Sequence, residues 1–172
     1  MFMKAEERRQ AILKMLQDSH SAVSATSLSH RFEVSRQIIV GDIALLRAQG
    51  AQIVATPRGY IMGGPKQRCS DTVACIHNSD RMEEELQIMV DNGCYVENVI
   101  VEHPVYGQLI GQLNLSDRSD VAEFLRLVSR TNAPPLSELT GGIHLHHLRA
   151  DSPDAFERVR KQLKDRGFLF GQ

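Results

Sequence analysis

The chain has 172 residues, 42% of them hydrophobic and 24% charged, with no internal repeat and no low-complexity segment; it has room for one medium or two small soluble domains. Its net charge of −1 hides an asymmetry: residues 1–66 carry nine Lys/Arg against five Asp/Glu, and residues 67–172 carry eleven against sixteen. Three cysteines without a Cys-x-x-Cys pair (Cys69, Cys75, Cys94) argue against a disulfide framework, and neither a signal-peptide run nor a membrane-length apolar stretch is present, so a cytoplasmic protein without a membrane partner is expected.

The basic segment reads as three helices and a hairpin. Lys4 to about Ser19 carries Ile12, Leu13 and Leu16 at helical spacing. A short second helix starts near Ser24 or Thr26 and turns Leu28 and Phe32 inward. Glu33 and Val34 make a turn, Ser35 caps a third helix that runs to about Gln49, and Gly50 ends it. Ile39, Ile43 and Leu46 form its core stripe. Ile53 to Ile61, with Pro57 and Gly59 in the turn, reads as a hairpin. This is the order of a winged helix-turn-helix.

Burying Ile39 and Ile43 exposes Ser35, Arg36 and Gln37 at the start of the third helix, where a major groove would lie. Arg reads guanine bidentately, Gln reads adenine, and a helix N-terminus favours phosphate. Arg58 at the hairpin tip is placed for phosphate or the minor groove. The bland alternative is a small helical domain used for protein contact; the charge, the polar helix start and the Arg-bearing wing favour double-stranded operator DNA. One winged module reads few bases, so a symmetric homodimer is expected. Thr26 to Gln37, Asp42 to Arg47 and the wing Ala55 to Tyr60 resemble the winged helix-turn-helix of biotin-repressor-like bacterial regulators. Gly41 departs from that pattern inside the recognition helix.

Gly63-Gly64-Pro65-Lys66 reads as a break, so residues 1–62 are expected to form the DNA-binding domain, 63–68 a linker and 69–172 a second domain. In the second domain Thr72–His77 alternates like a strand. Asn78, Ser79 or Asp80 caps a helix to about Asn92, with Met82, Leu86, Met89 and Val90 on one face. Tyr95–Val101 and Gln108–Leu115 flank a turn at His103–Gly107. Ser116 caps a helix to about Ser129 that buries Val121, Phe124, Leu125 and Val128. After Pro134-Pro135, a strand spans about Ile143–Arg149, a helix opens at Ser152-Pro153, and Phe168–Phe170 forms a last short strand. The order βαββαβαβ predicts an α+β fold with helices layered on a mixed or antiparallel sheet.

Alternation puts His144 and His146 on one face of their strand, and Ile143, Leu145 and His147 on the other, apolar face that can anchor it in a core. His77 ends the first strand, and Glu85 follows in the next helix beside its apolar stripe. Together His77, Glu85, His144 and His146 make a three-imidazole, one-carboxylate set that suits Zn, Ni, Fe or Co better than Mg or Ca. Chemistry alone weighs this evenly against a solvated Glu83-Glu84-Glu85 run with ordinary surface histidines. Cys75 shares the face of His77 and reads as a small core residue before it reads as a soft ligand. His147 falls outside the set.

Cys75-Ile76-His77, His103-Pro104-Val105-Tyr106-Gly107 and Gly141-Gly142-Ile143-His144-Leu145-His146 resemble the motifs of the 3H domain, which follows a winged helix-turn-helix in a bacterial repressor family. The resemblance implies an HPr-like α/β sandwich, a metal site at His77, Glu85, His144 and His146, and repression of NAD-synthesis and niacin-uptake genes with nicotinic acid as corepressor. His103 and Tyr106 are either turn residues or pocket residues for a pyridine ring, and Arg149 is a candidate partner for the effector carboxylate. Three functions follow: a nicotinate-responsive repressor, a repressor whose signal is the metal itself, and a metal-dependent hydrolase tethered to a DNA-binding module.

Overall fold

Two serines set the helix boundaries of the N-terminal half. Ser24 Oγ accepts the backbone N–H of Ser27 and opens α2 (Ala25–Arg31). Ser35 Oγ accepts that of Ile38 and opens α3 (Arg36–Ala48). Each hydroxyl accepts an N–H of the first turn, where the helix's own i−4 carbonyls are missing. The structure, a computed structural model describing residues 3–63 and 69–171, divides into two compact units, Met1–Gly64 and Pro65–Gln172. The expected linker, apart from Gly63, lies outside the described residues.

In the first unit α1 (Ala5–Asp18) packs Ile12 and Leu16 against Leu28 of α2 and Ile39, Ile43 and Leu46 of α3. Asp42 sits in the same inner face of α3, only 4% exposed, and takes the Arg8 Nε–H at 2.6 Å, with Arg9 Nη1 at 3.6 Å. This pair fastens α3 to α1. The wing is β1 (Ile53–Thr56) antiparallel to β2 (Gly59–Met62), with Pro57 and Arg58 between them. Gly59 has φ 138°, and a Cβ there would fall 2.4 Å from the Val23 carbonyl oxygen. Only glycine lets Tyr60 and Val23 exchange their two 2.9 Å backbone bonds, which tie the wing to the entry of α2.

The second unit is one antiparallel sheet in the order β3-β6-β4-β5, formed by β3 (Cys69–Ile76), β4 (Tyr95–His103), β5 (Gly107–Leu115) and β6 (Ile143–Ala150). Three helices, α4 (Met82–Asp91), α5 (Arg118–Thr131) and α6 (Asp154–Asp165), cover one face. Their Leu86, Met89, Val121, Phe156, Val159 and Leu163 share a core with Val73, Cys75, Val96, Leu115 and Leu148 of the sheet. Ile76, Ile110 and Ile143 stand exposed on the other face. The architecture is the expected α+β fold, a winged helix-turn-helix followed by an α/β sandwich. Among the described residues no helix is long and apolar enough to cross a membrane.

Three local expectations are corrected, and one element is added. Phe168–Phe170 makes only an isolated bridge, Leu169 to Cys75, because the Phe168 ring is drawn fully into the core. Asp117, not Ser116, caps α5: its carboxylate takes the N–H groups of Ser119 and Asp120 at 2.8 and 3.0 Å, while Ser116 donates its own N–H to Asp120. Within α5 only Val121 is buried among the expected four; Phe124, Leu125 and Val128 are half-buried, and a cavity against which Phe124 and Val128 stand lies beneath them. The chain after Pro135 forms a 3-10 turn, Leu136–Thr140, that the paired prolines did not announce.

Removing the Asp42 carboxylate strands Arg8 against the inner face of α3 and leaves Arg9 with its Glu6 pair. Asp42→Ala is expected to destabilise the N-terminal unit by about 3 kcal/mol, read as a lower urea midpoint of a probe placed in that unit. An unchanged midpoint would show that the pair contributes nothing to the seating of α3.

Candidate metal centre and nucleic-acid interface

In the N-terminal unit Ser35, Arg36, Gln37 and Arg58 are all exposed, the first three at the start of α3 and Arg58 at the wing tip. Ile38, Val40 and Leu45 are also 43–50% exposed on α3. Sequence reasoning passed over these three because it tracked only the polar start of the helix. The signal was available: they interleave with the buried Ile39, Asp42, Ile43 and Leu46 at helical spacing. Exposed aliphatic groups on a recognition helix suit thymine methyls. Gly41 lies on this outer side with nothing within 4 Å of the place a Cβ would occupy.

In the C-terminal unit three buried imidazoles converge on one buried carboxylate. The β3–β6 register sets Cys75 opposite His144 and Val73 opposite His146, so the two histidines point toward the helices alongside the core residues Leu148 and Ala150. This reverses the expected faces of β6: Ile143 is 36% exposed and Leu145 only half-buried, on the side the helices leave open. His77 follows β3 on the same side as Cys75. Gly142 makes its placement possible, with φ 94° and its Cβ position 2.5 Å from the His77 carbonyl oxygen, so that any side chain would push β6 off His77. Glu85 stands in the first turn of α4, one residue before Leu86 and four before Met89 on the buried face. The acidic run thus divides: Glu84 pairs with Arg81 and Arg166, Glu83 with Gln87, and Glu85 is 1% exposed.

Glu85 Oε2 lies 2.7 Å from His77 Nε2 and 3.3 Å from His146 Nε2, and its Oε1 lies 3.0 Å from His144 Nε2. The ligand atoms of His77, Glu85 and His144 all fall within 4.8 Å of one another. Each ring's other nitrogen faces a backbone carbonyl: His77 Nδ1 that of Asn78 at 2.7 Å, His144 Nδ1 that of Gly142 at 2.9 Å, and His146 Nδ1 that of Asn98 at 2.9 Å. A carbonyl only accepts, so Nδ1 carries the hydrogen, and a neutral ring then offers a lone pair at Nε2. Three such lone pairs facing a carboxylate repel it. The alternative, a buried imidazolium donating Nε2–H to Glu85, costs several kcal/mol per ion. A divalent cation held by the four groups removes that conflict, and the set of three imidazoles and one carboxylate fits a transition metal.

Burial works against ionised Glu85, but the charge of His146 and the hydrogen bonds of His144, His146 and His77 outweigh it and hold the carboxyl well below its ordinary range. Burial likewise opposes a charged His77 ring, yet the bond and charge of Glu85 prevail and raise its pKa. Burial, helped by the Glu85 charge, drives the Cys75 thiol far up, which keeps it a neutral core residue. His147 lies on the other sheet face, bonded to Thr72 Oγ1 at 3.2 Å, outside the cluster.

Beside the cluster a cavity of about 210 Å³ runs between the sheet, α4, α5 and the 133–137 segment. Met82, Leu86, Val99, Phe124, Val128 and Leu136 make its apolar walls, and His77, Glu85, His144 and His146 form one end. None of the expected effector residues lines it. His103 and Tyr106 stack at 4.9 Å on the β4–β5 hairpin tip, where His103 Nδ1 accepts the N–H groups of Val105 and Tyr106. Arg149 alternates to the open face of the sheet and donates to Glu97 at 2.9 Å. The cavity-lining residues of α5 and the 133–137 segment were not singled out from sequence, since nothing in their spacing marks a void.

The two shifts give opposite pH slopes in metal-free protein. The Glu85 contribution, present above the unfolded value of about 4.5, is lost as pH falls through its lower folded value; the His77 contribution, present below about 6.5, is lost as pH rises through its raised folded value. Chelator-treated protein is therefore expected to have its highest urea midpoint between those limits. His77→Ala should abolish the alkaline decline, and a decline that persists in this variant would assign it to other groups.

Residues 70–172 match the 3H domain, and residues 8–61 match an HTH domain. The chain is 43% identical over 164 residues to a probable transcription repressor NiaR of Thermotoga maritima, covering 95% of this chain and 94% of that protein. It is 39% identical over 166 residues to the transcription repressor NadR of Bacillus subtilis, covering 94% and 92%. These relatives set aside the tethered hydrolase. Matched in both halves and along nearly its whole length, the chain belongs to the NiaR/NadR family of helix-turn-helix transcription repressors, and is a regulator and not an enzyme.

Proposed function

We propose that this protein represses genes of NAD synthesis and niacin uptake, with nicotinic acid as corepressor bound beside a transition metal in the C-terminal unit. The observation that carries this reading is the cavity that ends on the His77, Glu85, His144 and His146 cluster. A flat heteroaromatic ring matches its apolar walls. An ion such as Zn, Ni or Fe, held by those four residues, would supply a Lewis-acidic anchor for the ring nitrogen or carboxylate. No Lys or Arg is among the described residues lining the cavity, so the effector's negative charge must be met at the cluster end or by Gln112 and Ser137. This replaces His103, Tyr106 and Arg149 as the effector contacts.

Operator DNA is read by Ser35, Arg36 and Gln37 in the major groove, with Arg58 on the backbone or minor groove. The active form is a cytoplasmic homodimer on a pseudo-palindrome. The competing reading, in which the metal alone is the signal, keeps the cluster and gives the apolar cavity no role.

Nicotinic acid is expected to raise operator affinity by roughly 5- to 150-fold, and linkage requires operator DNA to tighten nicotinic acid binding by the same factor. Calorimetry with and without operator, at fixed metal, measures both. Equal nicotinic acid affinity in the two conditions removes the corepressor role. If metal addition alone produces full operator affinity, the metal is the signal.

The double change His144→Ala plus His146→Ala is expected to abolish metal uptake while leaving the N-terminal unit folded. In the parent protein, uptake should weaken as pH falls, because a protonated ring cannot ligate; with His77 raised, this competition begins above the usual value of about 6.5. Full metal content of the double variant by elemental analysis would contradict the site.

A further inference from the structure

Gly111 occupies the middle of β5, opposite Val99, on the side of the sheet that faces the cavity. Its backbone does not enter the left-handed region, so no turn requires a glycine there. Glycine weakens a strand interior, and where it recurs without a conformational reason it marks a close approach. Here the approach is that of a side chain. A Cβ on Gly111 would lie 3.0 Å from Leu136 Cδ1 and 3.2 Å from Val99 Cγ1, and both residues line the cavity. The missing methyl therefore sets how far Leu136 settles over β5 and how much room remains beside the cluster.

We infer that Gly111 and Leu136 together gauge this cavity, so that it admits a free monocyclic aromatic acid and rejects the ribosylated, phosphorylated forms of the same ring. The inference rests on the effector reading above. Two observations carry it. The volume of about 210 Å³ falls below the roughly 300–1,000 Å³ typical of drug-sized ligands. It suffices for one ring and a short substituent. Furthermore, no Lys or Arg is among the described lining residues, so a phosphate carried in on a ribose would meet no side-chain cation along those walls. A ring carboxylate avoids that cost at the cluster end, where three neutral imidazoles, one carboxylate and a divalent ion leave net positive charge.

The test is calorimetry on metal-loaded, full-length protein with nicotinic acid and nicotinic acid mononucleotide as probes, alongside elemental analysis and thermal melting. The parent should bind the acid and not the mononucleotide. Gly111→Val, which adds three carbons to the cavity wall, should keep its metal and bind the acid at least on the order of 10- to 200-fold more weakly, the range for a misfit of a single methylene. Adding Leu136→Ala to that variant should recover most of the affinity, which a merely structural role for Gly111 does not predict. Should valine unfold the sheet, Gly111→Ala gives the same pattern at smaller amplitude. Unchanged acid affinity in a folded Gly111 variant overturns the gauge while leaving the effector reading standing. So does mononucleotide binding as tight as that of the acid. Binding of neither probe by the metal-loaded parent overturns both.

Discussion

The C-terminal unit is arranged around one buried anion. Glu85 is 1% exposed in the first turn of α4, and an isolated carboxylate at that depth does not stay charged unless charge or hydrogen bonds are brought to it. The chain brings three imidazoles from two strands. That requirement reaches far into the fold: it fixes the register of β3 against β6, demands the glycine at 142 where β6 meets the His77 backbone, and spends the core-facing position just after β3 on a histidine. It also requires the three carbonyls of Asn78, Gly142 and Asn98, which hold each ring with Nε2 toward the centre. The carbonyls are what distinguish this cluster from histidines that merely neutralise an acid. Rings free to turn would each offer a donor to Glu85, whereas rings whose Nδ1 hydrogens are already committed offer lone pairs, the arrangement a metal ligand needs.

Much of this was legible in the sequence, and the parts that were not have physical reasons. Ser35 capped its expected helix, because a short hydroxyl side chain before an apolar stripe has few other uses, while the start of the second helix, left between Ser24 and Thr26, fell at Ser24. Spacing placed Glu85 beside Leu86 and one helical turn before Met89 but left it evenly weighed against a solvated run with Glu83 and Glu84, because three adjacent carboxylates differ only in helical phase; the family resemblance singled it out. The faces of β6 were assigned the wrong way round. Alternation tells which residues share a face and is silent on which face the helices cover. Ile143 and Leu145 looked like the inner set, yet Leu148 and Ala150, in phase with His144 and His146, carried the better signal, since Arg149 stands on the other side. The cavity was beyond reach, because it depends on how far α5 stands off the sheet and on a 3-10 turn at Leu136–Thr140.

The N-terminal unit solves a different problem, that of presenting one helix rigidly with most of its surface in solvent. α3 is held from within by Ile39, Ile43 and Leu46 and by the Asp42 pairs with Arg8 and Arg9, leaving Arg36, Gln37, Ile38, Val40 and Leu45 outside. A buried ion pair is a costly fastener compared with an apolar contact. Its use here follows from geometry: the arginines come from the first turn of α1 and fix its angle to α3, which an interchangeable methyl contact would leave looser. The exposed aliphatic residues would be a liability on an inert surface. On a helix that reads base edges, as proposed for α3, they would be contact groups.

On the proposed reading, the division of labour inside the C-terminal unit limits how an effector can act. The four candidate ligands come from the end of β3, from α4 and from β6, and the three imidazoles among them are already seated by backbone hydrogen bonds, so an ion held there would pin those three elements with or without a second ligand. A corepressor shifts an equilibrium only through contacts that differ between two states of the protein. Those contacts must therefore involve the other walls of the cavity: β5 near Gly111, the half-buried face of α5 with Phe124 and Val128, and the Pro134–Ser137 segment. Of the unit's three helices α5 buries the least, keeping only Asp120 and Val121 below the surface, whereas α4 and α6 each bury four or more residues. A ring filling the space beneath α5 completes an interface that the protein's own side chains leave partly unmade. On that reading the differential energy for a switch lies at α5, and the metal would be the fixed end against which the effector is held.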